Sequence, residues 1–190
     1  MDQPLAERLR PQNLDEFLGQ NKILGEQSLL RKSLENDNVP SMIFWGPPGC
    51  GKTSLAHVIR QHTKKAFVAL SAVASGVKEV KEVLADARKM KGLFQDTILF
   101  IDEIHRFNKG QQDALLGAVE DGTVTLIGAT TENPGFEVNS ALLSRCQLIL
   151  FAPLSKEDLR TLIFSALRDH PRGLQLKDVE VEEAVVDKLI

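Results

Sequence analysis

The segment Ser41-Met42-Ile43-Phe44-Trp45-Gly46-Pro47-Pro48-Gly49-Cys50-Gly51-Lys52-Thr53 decides the fold, because it joins a short apolar run to a glycine-rich loop. The loop fits the pattern Gly-x-x-x-x-Gly-Lys-Ser/Thr, and apolar residues at helical spacing follow it directly. Glycines allow backbone N–H groups to close around a phosphate, and the N-terminus of the next helix adds a partial positive charge. The segment therefore predicts a strand, a phosphate-binding loop and a helix in that order; a plain glycine-rich turn is the alternative.

The side chains of this loop predict how it would bind a nucleoside triphosphate. Lys52 is expected to reach the β- and γ-phosphates, and the hydroxyl of Thr53 is expected to coordinate Mg²⁺. The residues that we expect around the nucleotide in this part of the chain are Pro48, Gly49, Cys50, Gly51, Lys52, Thr53 and Ser54.

Four further apolar runs of about five residues follow along the chain, and none of them alternates between apolar and polar residues. They are Ala66 to Leu70, Thr97 to Ile101, Thr123 to Ile127 and Gln147 to Phe151. Continuous apolar runs are typical of strands that are buried on both faces of a parallel sheet. An amphipathic helical pattern separates the second run from the third, with apolar residues from Val77 to Met90. The sequence therefore predicts an α/β fold: a doubly wound, parallel, five-stranded sheet sandwiched by helices, with ligands at the carboxyl ends of the strands.

A change of pattern after residue 153 predicts a second domain. Residues 1–153 form the predicted nucleotide-binding α/β domain, and residues 154–190 the start of a helical lid domain. The segment from Lys156 to Asp169 has an apolar helical stripe, and Val181 to Ile190 begins another. Because the last pattern stops in mid-helix, we expect the chain to be a fragment with a truncated lid.

Two acids follow the third apolar run and predict the hydrolytic part of the site. Asp102 would orient Mg²⁺, directly or through water, and Glu103 would take a proton from the attacking water. The alternative is that both acids merely cap the helix predicted near Asn108 to Val119.

Polar residues follow two more of the predicted strands. Thr131 is the favoured sensor of the γ-phosphate over Thr130 and Asn133, with a simple turn as the alternative. Arg145 precedes the last run, where it could enter the site of a neighbouring copy as an arginine finger. The alternative for Arg145 is an ordinary surface residue.

Composition excludes several classes of protein. The chain has 190 residues, 43% hydrophobic and 26% charged, with a formal net charge of −3, so no overall basic field would attract it to nucleic acid. No apolar run approaches the roughly 20 residues that cross a bilayer, and no secretory signal is recognisable. Cys50 and Cys146 cannot build a disulfide framework. We expect an intracellular protein with no membrane partner.

Over residues 4 to about 168, these motifs resemble the AAA+ ATPases of the clamp-loader and RuvB-like branch, which bind and hydrolyse ATP with Mg²⁺ on a P-loop sheet. The segment Leu9 to Gln20 resembles the family's adenine-contacting segment. The resemblance implies base contacts from Arg10, Pro11, Leu18 and Phe17, a Walker A motif at Gly46 to Thr53, a Walker B motif ending at Asp102 and Glu103, a sensor 1 at Thr131, and a trans-acting arginine at Arg145. In addition, Ser71 resembles the polar residue that, in this family, can hold the catalytic glutamate inactive until DNA binds; here that glutamate would be Glu103.

Within that branch, the motifs around Lys52, Glu103 and Thr131 resemble the family of RarA (MgsA) and the Werner-helicase-interacting protein. The resemblance implies a DNA-dependent ATPase in replication-associated recombination and repair at stalled forks, acting on forked or single-stranded DNA ends. It further implies a tetramer for the full-length protein, a monomer for this piece, and single-strand-binding protein as a bacterial partner. The eukaryotic zinc finger is missing, which favours a bacterial source with a nucleoid-associated cytoplasmic location, although a trimmed sequence would lack the finger as well; a eukaryotic protein would be nuclear.

Two other functions remain open at this stage. A clamp-loader or Holliday-junction branch-migration ATPase subunit would share nearly all of these motifs. A non-hydrolysing nucleotide-binding scaffold would need neither Glu103 nor Arg145. The family's sensor 2 arginine lies beyond Ile190, so no residue is assigned to it.

Overall fold

A computed structural model describes residues 3–169, 171–176 and 185–186 of the chain. Within these ranges it contains a central sheet with helices on both faces. None of the helices among the described residues has the length and apolarity needed to cross a bilayer.

Five parallel strands form the sheet, as the sequence predicts. They are β1 (Met42–Trp45), β2 (Ala66–Ser71), β3 (Thr97–Asp102), β4 (Thr125–Thr130) and β5 (Gln147–Leu150). Their order is β2-β3-β4-β1-β5, and every neighbouring pair is parallel. The order reverses around β1, so the loop after this strand opens at the crevice where doubly wound sheets bind ligands.

The helices alternate with these strands. They are α1 (Leu5–Arg8), α2 (Asn21–Leu24), α3 (Leu29–Glu35), α4 (Lys52–His62), α5 (Val77–Gly92), α6 (Lys109–Glu120), α7 (Pro134–Glu137), α8 (Ser140–Leu143) and α9 (Lys156–Phe164). A 3₁₀ turn spans Ile104–Arg106, and a π-helical turn at Ser165–Asp169 extends α9. The predicted helix at 181–190 lies outside the described residues except for positions 185–186, and the boundary at residue 154 stays a prediction.

Successive residues of the inner strands face opposite layers of the core. Ile43 of β1 packs with α5 and α6, whereas Met42 and Phe44 pack with α3 and α4. This two-sided burial explains why β1, β3 and β4 read as continuous apolar runs. The edge strand β5 differs, because Leu148 and Leu150 are exposed on it.

Both predicted ends of the fourth strand are wrong, whereas the other predicted strands differ by one residue at an end. We expected the fourth strand at Thr123 to Ile127, but β4 runs from Thr125 to Thr130. Gly128 lies inside the strand, where an added Cβ would approach Ile43 Cδ1 to 2.7 Å and Ile104 Cδ1 to 2.9 Å. The glycine makes room for these side chains rather than ending the strand.

Candidate active site

The loop between β1 and α4 has the backbone that a phosphate cradle requires. Gly49 and Gly51 have φ angles of +77° and +101°, in the left-handed region that residues with a Cβ rarely adopt. Gly51 is also the N-cap of α4, so the positive end of this helix faces the loop. A Cβ on Gly51 would come within 2.7 Å of Phe17 Cζ, whereas one on Gly49 would meet nothing within 4 Å. The loop is thus closed on one side by Phe17 and open at Gly49.

The ammonium group of Lys52 folds back over this loop. Its Nζ donates hydrogen bonds to the carbonyl oxygens of Gly46, at 2.7 Å, and Pro47, at 2.8 Å, and lies 3.8 Å from Cys50 Sγ. Only 7% of Lys52 is exposed. The loop carbonyls thus hold a buried positive charge at the phosphate-binding loop.

A polar cavity of about 310 Å³ brings together residues from three strand ends. Its lining consists of Pro48, Gly49, Gly51, Lys52, Thr53, Ser54, Asp102, Glu103 and Thr131. The phosphate loop after β1, the acids at the end of β3 and the threonine after β4 therefore share one cavity. These residues are far apart in the sequence. The parallel order of the strands places them at the same edge of the sheet.

Asp102 and Glu103 have different local geometries. Asp102 is the last residue of β3, and its Oδ1 accepts a hydrogen bond from the Glu103 N–H at 3.2 Å. Glu103 has φ +56° and ψ +44°, so the chain leaves the sheet abruptly at this residue. Neither acid caps α6, because Asn108 does so through its side chain. The helix-capping alternative for the two acids is wrong.

The carboxylate of Glu103 meets a histidine to which we assigned no role from the sequence. Nδ1 of His105 lies 3.3 Å from Glu103 Oε2 and 2.9 Å from Thr130 Oγ1. Ser71 stands opposite Asp102 in the register of β2 and β3, and within the described part of the chain no hydrogen bond joins Ser71 to Glu103. The polar partner of Glu103 in this structure is therefore His105.

The three candidates around the end of β4 occupy different positions. Thr131 lines the polar cavity, as the sequence analysis favoured. The hydroxyl of Thr130 is buried and bonds to the backbone of Glu132, while Asn133 caps α7 by accepting from the Gly135 N–H at 3.0 Å. Thr130 and Asn133 therefore shape the turn that presents Thr131.

A second, more apolar cavity of about 240 Å³ adjoins the first along the loop. Both cavities are lined by Gly49, Gly51 and Ser54. The other residues of the second cavity are Leu9, Pro11, Glu16, Phe17, Leu18, Cys50, Leu154, Thr161, Leu162 and Ser165, so the N-terminal segment forms one wall and α9 the other. The contribution of α9 was missed, because its apolar stripe predicts only packing.

Of the predicted base contacts, Pro11, Leu18 and Phe17 line this second cavity, but Arg10 does not. The Arg10 guanidinium forms an ion pair with Glu7 at 3.0 Å, and its backbone carbonyl accepts from Arg172 at 3.0 Å. The structure therefore does not bring Arg10 to the other predicted binding residues.

Gln20 connects the phosphate loop to the segment that follows β5. Its amide Nε2 donates to the carbonyls of Cys50, at 3.2 Å, and Ala152, at 2.6 Å, and its Oε1 accepts from the Ala152 N–H at 3.1 Å. The side chain is buried, and its φ is +59°. Sequence reasoning placed Gln20 only at the end of the adenine segment, since its partners lie far along the chain.

Arg145 lies just before β5 and does not line the polar cavity of its own chain. Its guanidinium is half-exposed, forms an ion pair with Glu120 at 3.0 Å and donates to Ser144 Oγ at 3.0 Å. The neighbouring Cys146 is a free thiol, and burial raises its pKa to about 11. At neutral pH this cysteine is therefore a protonated packing residue rather than a nucleophile.

The arrangement has the chemistry to bind a nucleoside triphosphate with Mg²⁺. An apolar cavity suits a base, the loop with Lys52 suits phosphates, and the hydroxyl of Thr53 and the carboxylate of Asp102 lie on one cavity. Mg²⁺ is typically bound by one or two protein oxygens together with phosphates and water, so this small donor set fits it.

Comparison with known proteins gives a family for most of the sheet domain. Residues 42–154 match the family described as "ATPase family associated with various cellular activities (AAA)". Over 95% of the chain, the structure resembles the Holliday junction branch migration motor RuvB of Thermotoga maritima, with a TM-score of 0.73 and 32% identity, covering 58% of that protein.

Curated relatives extend the likeness through the remainder of the chain. Replication-associated recombination protein A of Escherichia coli (strain K12) is 50% identical over 177 residues, which are 93% of this chain and 40% of that protein. ATPase WRNIP1 of Dictyostelium discoideum is 48% identical over 182 residues, or 96% of this chain and 21% of that protein. These matches confirm the resemblance drawn from the motifs, and the chain spans less than half the length of either relative.

Proposed function

The chain belongs to the AAA family of ATPases, and from this premise we propose that it binds ATP with Mg²⁺ across its two adjoining cavities and hydrolyses the terminal phosphate. One observation carries the proposal: the polar cavity joins the phosphate loop to Asp102, Glu103 and Thr131. A protein that binds a nucleotide without hydrolysing it would need the phosphate-binding loop but not the two acids.

Binding follows from the two cavities. The adenine base would lie between the N-terminal segment and α9, against Pro11, Phe17 and Leu18. The phosphates would lie on the backbone N–H groups of the loop at the N-terminus of α4. The Nζ of Lys52, which donates to the loop carbonyls in this structure, would instead donate to the β- and γ-phosphates.

The metal would be held by Thr53 and Asp102 together with phosphate oxygens. When bound, Mg²⁺ neutralises charge that develops on the phosphates. Asp102 is suited to orient it because the rigid end of β3 fixes its backbone.

Glu103 would act as the general base. As the oxygen of a water molecule bonds to the γ-phosphorus, the Glu103 carboxylate takes one of the water protons. The bond from the γ-phosphorus to the bridging oxygen breaks, and its electrons leave with ADP, so the products are ADP and inorganic phosphate. Thr131 would position the γ-phosphate from the opposite wall of the cavity.

The mechanism is tested by Glu103→Gln in the full-length protein. The amide keeps the size of the side chain but cannot accept the proton, so we expect ATP turnover to fall about 100-fold or more with ATP affinity retained. Glu137→Gln, an exposed residue on α7, is the matched control and should turn over ATP normally. Undiminished turnover in Glu103→Gln would remove Glu103 from the mechanism.

We further propose that this hydrolysis serves replication-associated recombination and repair, with DNA at stalled forks as the trigger. The names of the relatives from Escherichia coli and Dictyostelium support this role. ATP turnover should therefore be compared without DNA and with single strands, duplex ends and forks, and forks or single-stranded ends should raise it. If no form of DNA alters the rate, the role in replication fails while the ATPase activity stands.

Assembly would complete the site. Since Arg145 does not line its own cavity, we propose that it acts on the nucleotide of a neighbouring copy, in a tetramer of the full-length protein. Single-strand-binding protein is the proposed partner in a bacterium, where the protein would be cytoplasmic and associated with the nucleoid; a eukaryotic protein would be nuclear.

The likeness to RuvB supports a second candidate, a branch-migration or clamp-loader type of ATPase subunit. The two candidates differ in what the full-length protein requires. Self-assembly with stimulation by forks favours the recombination role, whereas dependence on a sliding clamp or on a four-way junction favours the second.

A further inference from the structure

His105 occupies a position between the predicted base and the strand that presents the predicted sensor. Its side chain is only 12% exposed, and the 3₁₀ turn Ile104–Arg106 holds its backbone. The single atom Nδ1 is within reach of both Thr130 Oγ1, at 2.9 Å, and Glu103 Oε2, at 3.3 Å. The sequence motifs assign no role to this histidine.

The hydrogen-bond partners of Thr130 match one tautomer of His105. Its hydroxyl accepts from the Glu132 N–H at 3.0 Å and donates to the Glu132 carbonyl at 3.2 Å. A hydroxyl has one hydrogen and two acceptor positions, so the remaining position can only accept. With the hydroxyl hydrogen on the Glu132 carbonyl, the tautomer that satisfies Thr130 has its hydrogen on Nδ1, and Glu103 Oε2 lies 3.3 Å from that atom.

Resting on the proposed function, we propose that His105 is a positioning residue for ATP hydrolysis. Its Nδ1–H holds the Glu103 carboxylate on the wall of the polar cavity and ties it to the end of β4. Thr131 follows Thr130 directly, so the base and the sensor of the γ-phosphate share one anchor.

The backbone of Glu103 makes such an anchor necessary. The left-handed conformation at φ +56° sets the direction of its Cα–Cβ bond, but three side-chain torsions beyond it remain free. A base that is misplaced by about 1 Å can lose a factor of up to about 100 in rate, so a contact that fixes the carboxylate would have a measurable effect on kcat.

A set of three variants in the full-length protein separates positioning from packing. His105→Ala removes the donor, and we expect kcat for ATP to fall about tenfold with KM and ATP affinity unchanged. His105→Asn places an amide N–H near the position of Nδ1, whereas His105→Gln places it near Nε2. We expect kcat to recover in His105→Asn and to stay low in His105→Gln, with both variants folded to the same thermal midpoint.

The outcomes discriminate this inference from the function on which it rests. Absence of turnover in the wild-type protein would overturn the proposed function and this role with it. Wild-type turnover with an unchanged kcat in His105→Ala, or equal recovery by the Asn and Gln variants, would overturn the role of His105 alone.

Discussion

Two residues at the candidate site adopt a backbone conformation that their side chains disfavour. Gln20 and Glu103 have φ angles of +59° and +56°, in a region that residues other than glycine, asparagine and aspartate seldom occupy. Such positions persist only where the surrounding contacts hold them, and they concentrate at functional sites. The Glu103 carboxylate contacts His105 at 3.3 Å, and the Gln20 amide forms three hydrogen bonds.

Replacing Gln20 by alanine should therefore affect both stability and nucleotide binding. The change leaves the carbonyls of Cys50 and Ala152 and the Ala152 N–H without this partner; the bond to Cys50 is buried, and the two bonds to Ala152 are partly buried. We expect the free energy of unfolding, measured in urea, to fall by about 2 to 3 kcal/mol, and ATP affinity to fall because the loop is no longer tied at Cys50. Gln27→Ala is the matched control, since Gln27 is exposed on the surface and should lose less than about 0.5 kcal/mol. An equal loss in the two variants would contradict this role of Gln20.

The residues that sequence reasoning found and those that it missed differ in the range of their contacts. Lys52 and Asp102, which line the polar cavity, were singled out from motifs that span a few positions each. Gln20 bonds to Ala152 across 132 positions, and His105 bonds to Thr130 across 25. Contacts of that range depend on the order of the strands, which no local pattern encodes.

At the scale of elements, the sequence predicted the existence of each strand better than its ends. The run at the fourth strand was predicted to start two residues and to end three residues too early, and its predicted end lies directly before Gly128. In the sheet its missing side chain admits Ile43 and Ile104, so β4 continues to Thr130. The error matters for function, since it moves Thr130 from a loop into the strand and leaves Thr131 as the first residue beyond it.

The N-terminus of α6 is capped by a side chain whose contribution to the free energy of unfolding can be measured. The Asn108 side chain accepts from the Gln111 N–H at 3.0 Å, and the Gln111 side chain accepts from the Asn108 N–H at 3.0 Å. Asn108→Ala removes the first of these bonds, and we expect the free energy of unfolding to fall by about 1 kcal/mol, with a lower thermal midpoint. Asn108→Ser should retain most of the stability, because serine also caps helices well. Equal destabilisation by alanine and serine would contradict the capping role.

At the scale of the whole molecule, the fold brings most of the candidate site residues together, and Arg145 is one of the exceptions. The sheet order gathers the loop after β1 and the ends of β3 and β4 into one cavity, and the N-terminal segment and α9 form the walls of the next. Arg145 lies outside both cavities, in an ion pair with Glu120. An exposed ion pair of this kind contributes little to stability. The Arg145 guanidinium can therefore leave Glu120 at little cost and contact a phosphate of the nucleotide bound by a second copy.

Arg145 therefore gives a prediction that only the assembled protein can test. Arg145→Ala in the full-length protein should lower ATP turnover about 1000-fold while ATP affinity is retained, because the missing charge acts in the transition state. Lys52→Ala should be inactive through lost nucleotide binding. In an equal mixture of these two variants, half of the sites keep Lys52 and half of their neighbours keep Arg145, so turnover should return to about a quarter of the wild-type rate in a closed head-to-tail ring. Arg60→Ala, at an exposed position on α4, is the control for loss of a surface arginine and should turn over normally. A mixture as inactive as its two components would show that Arg145 does not act across the interface.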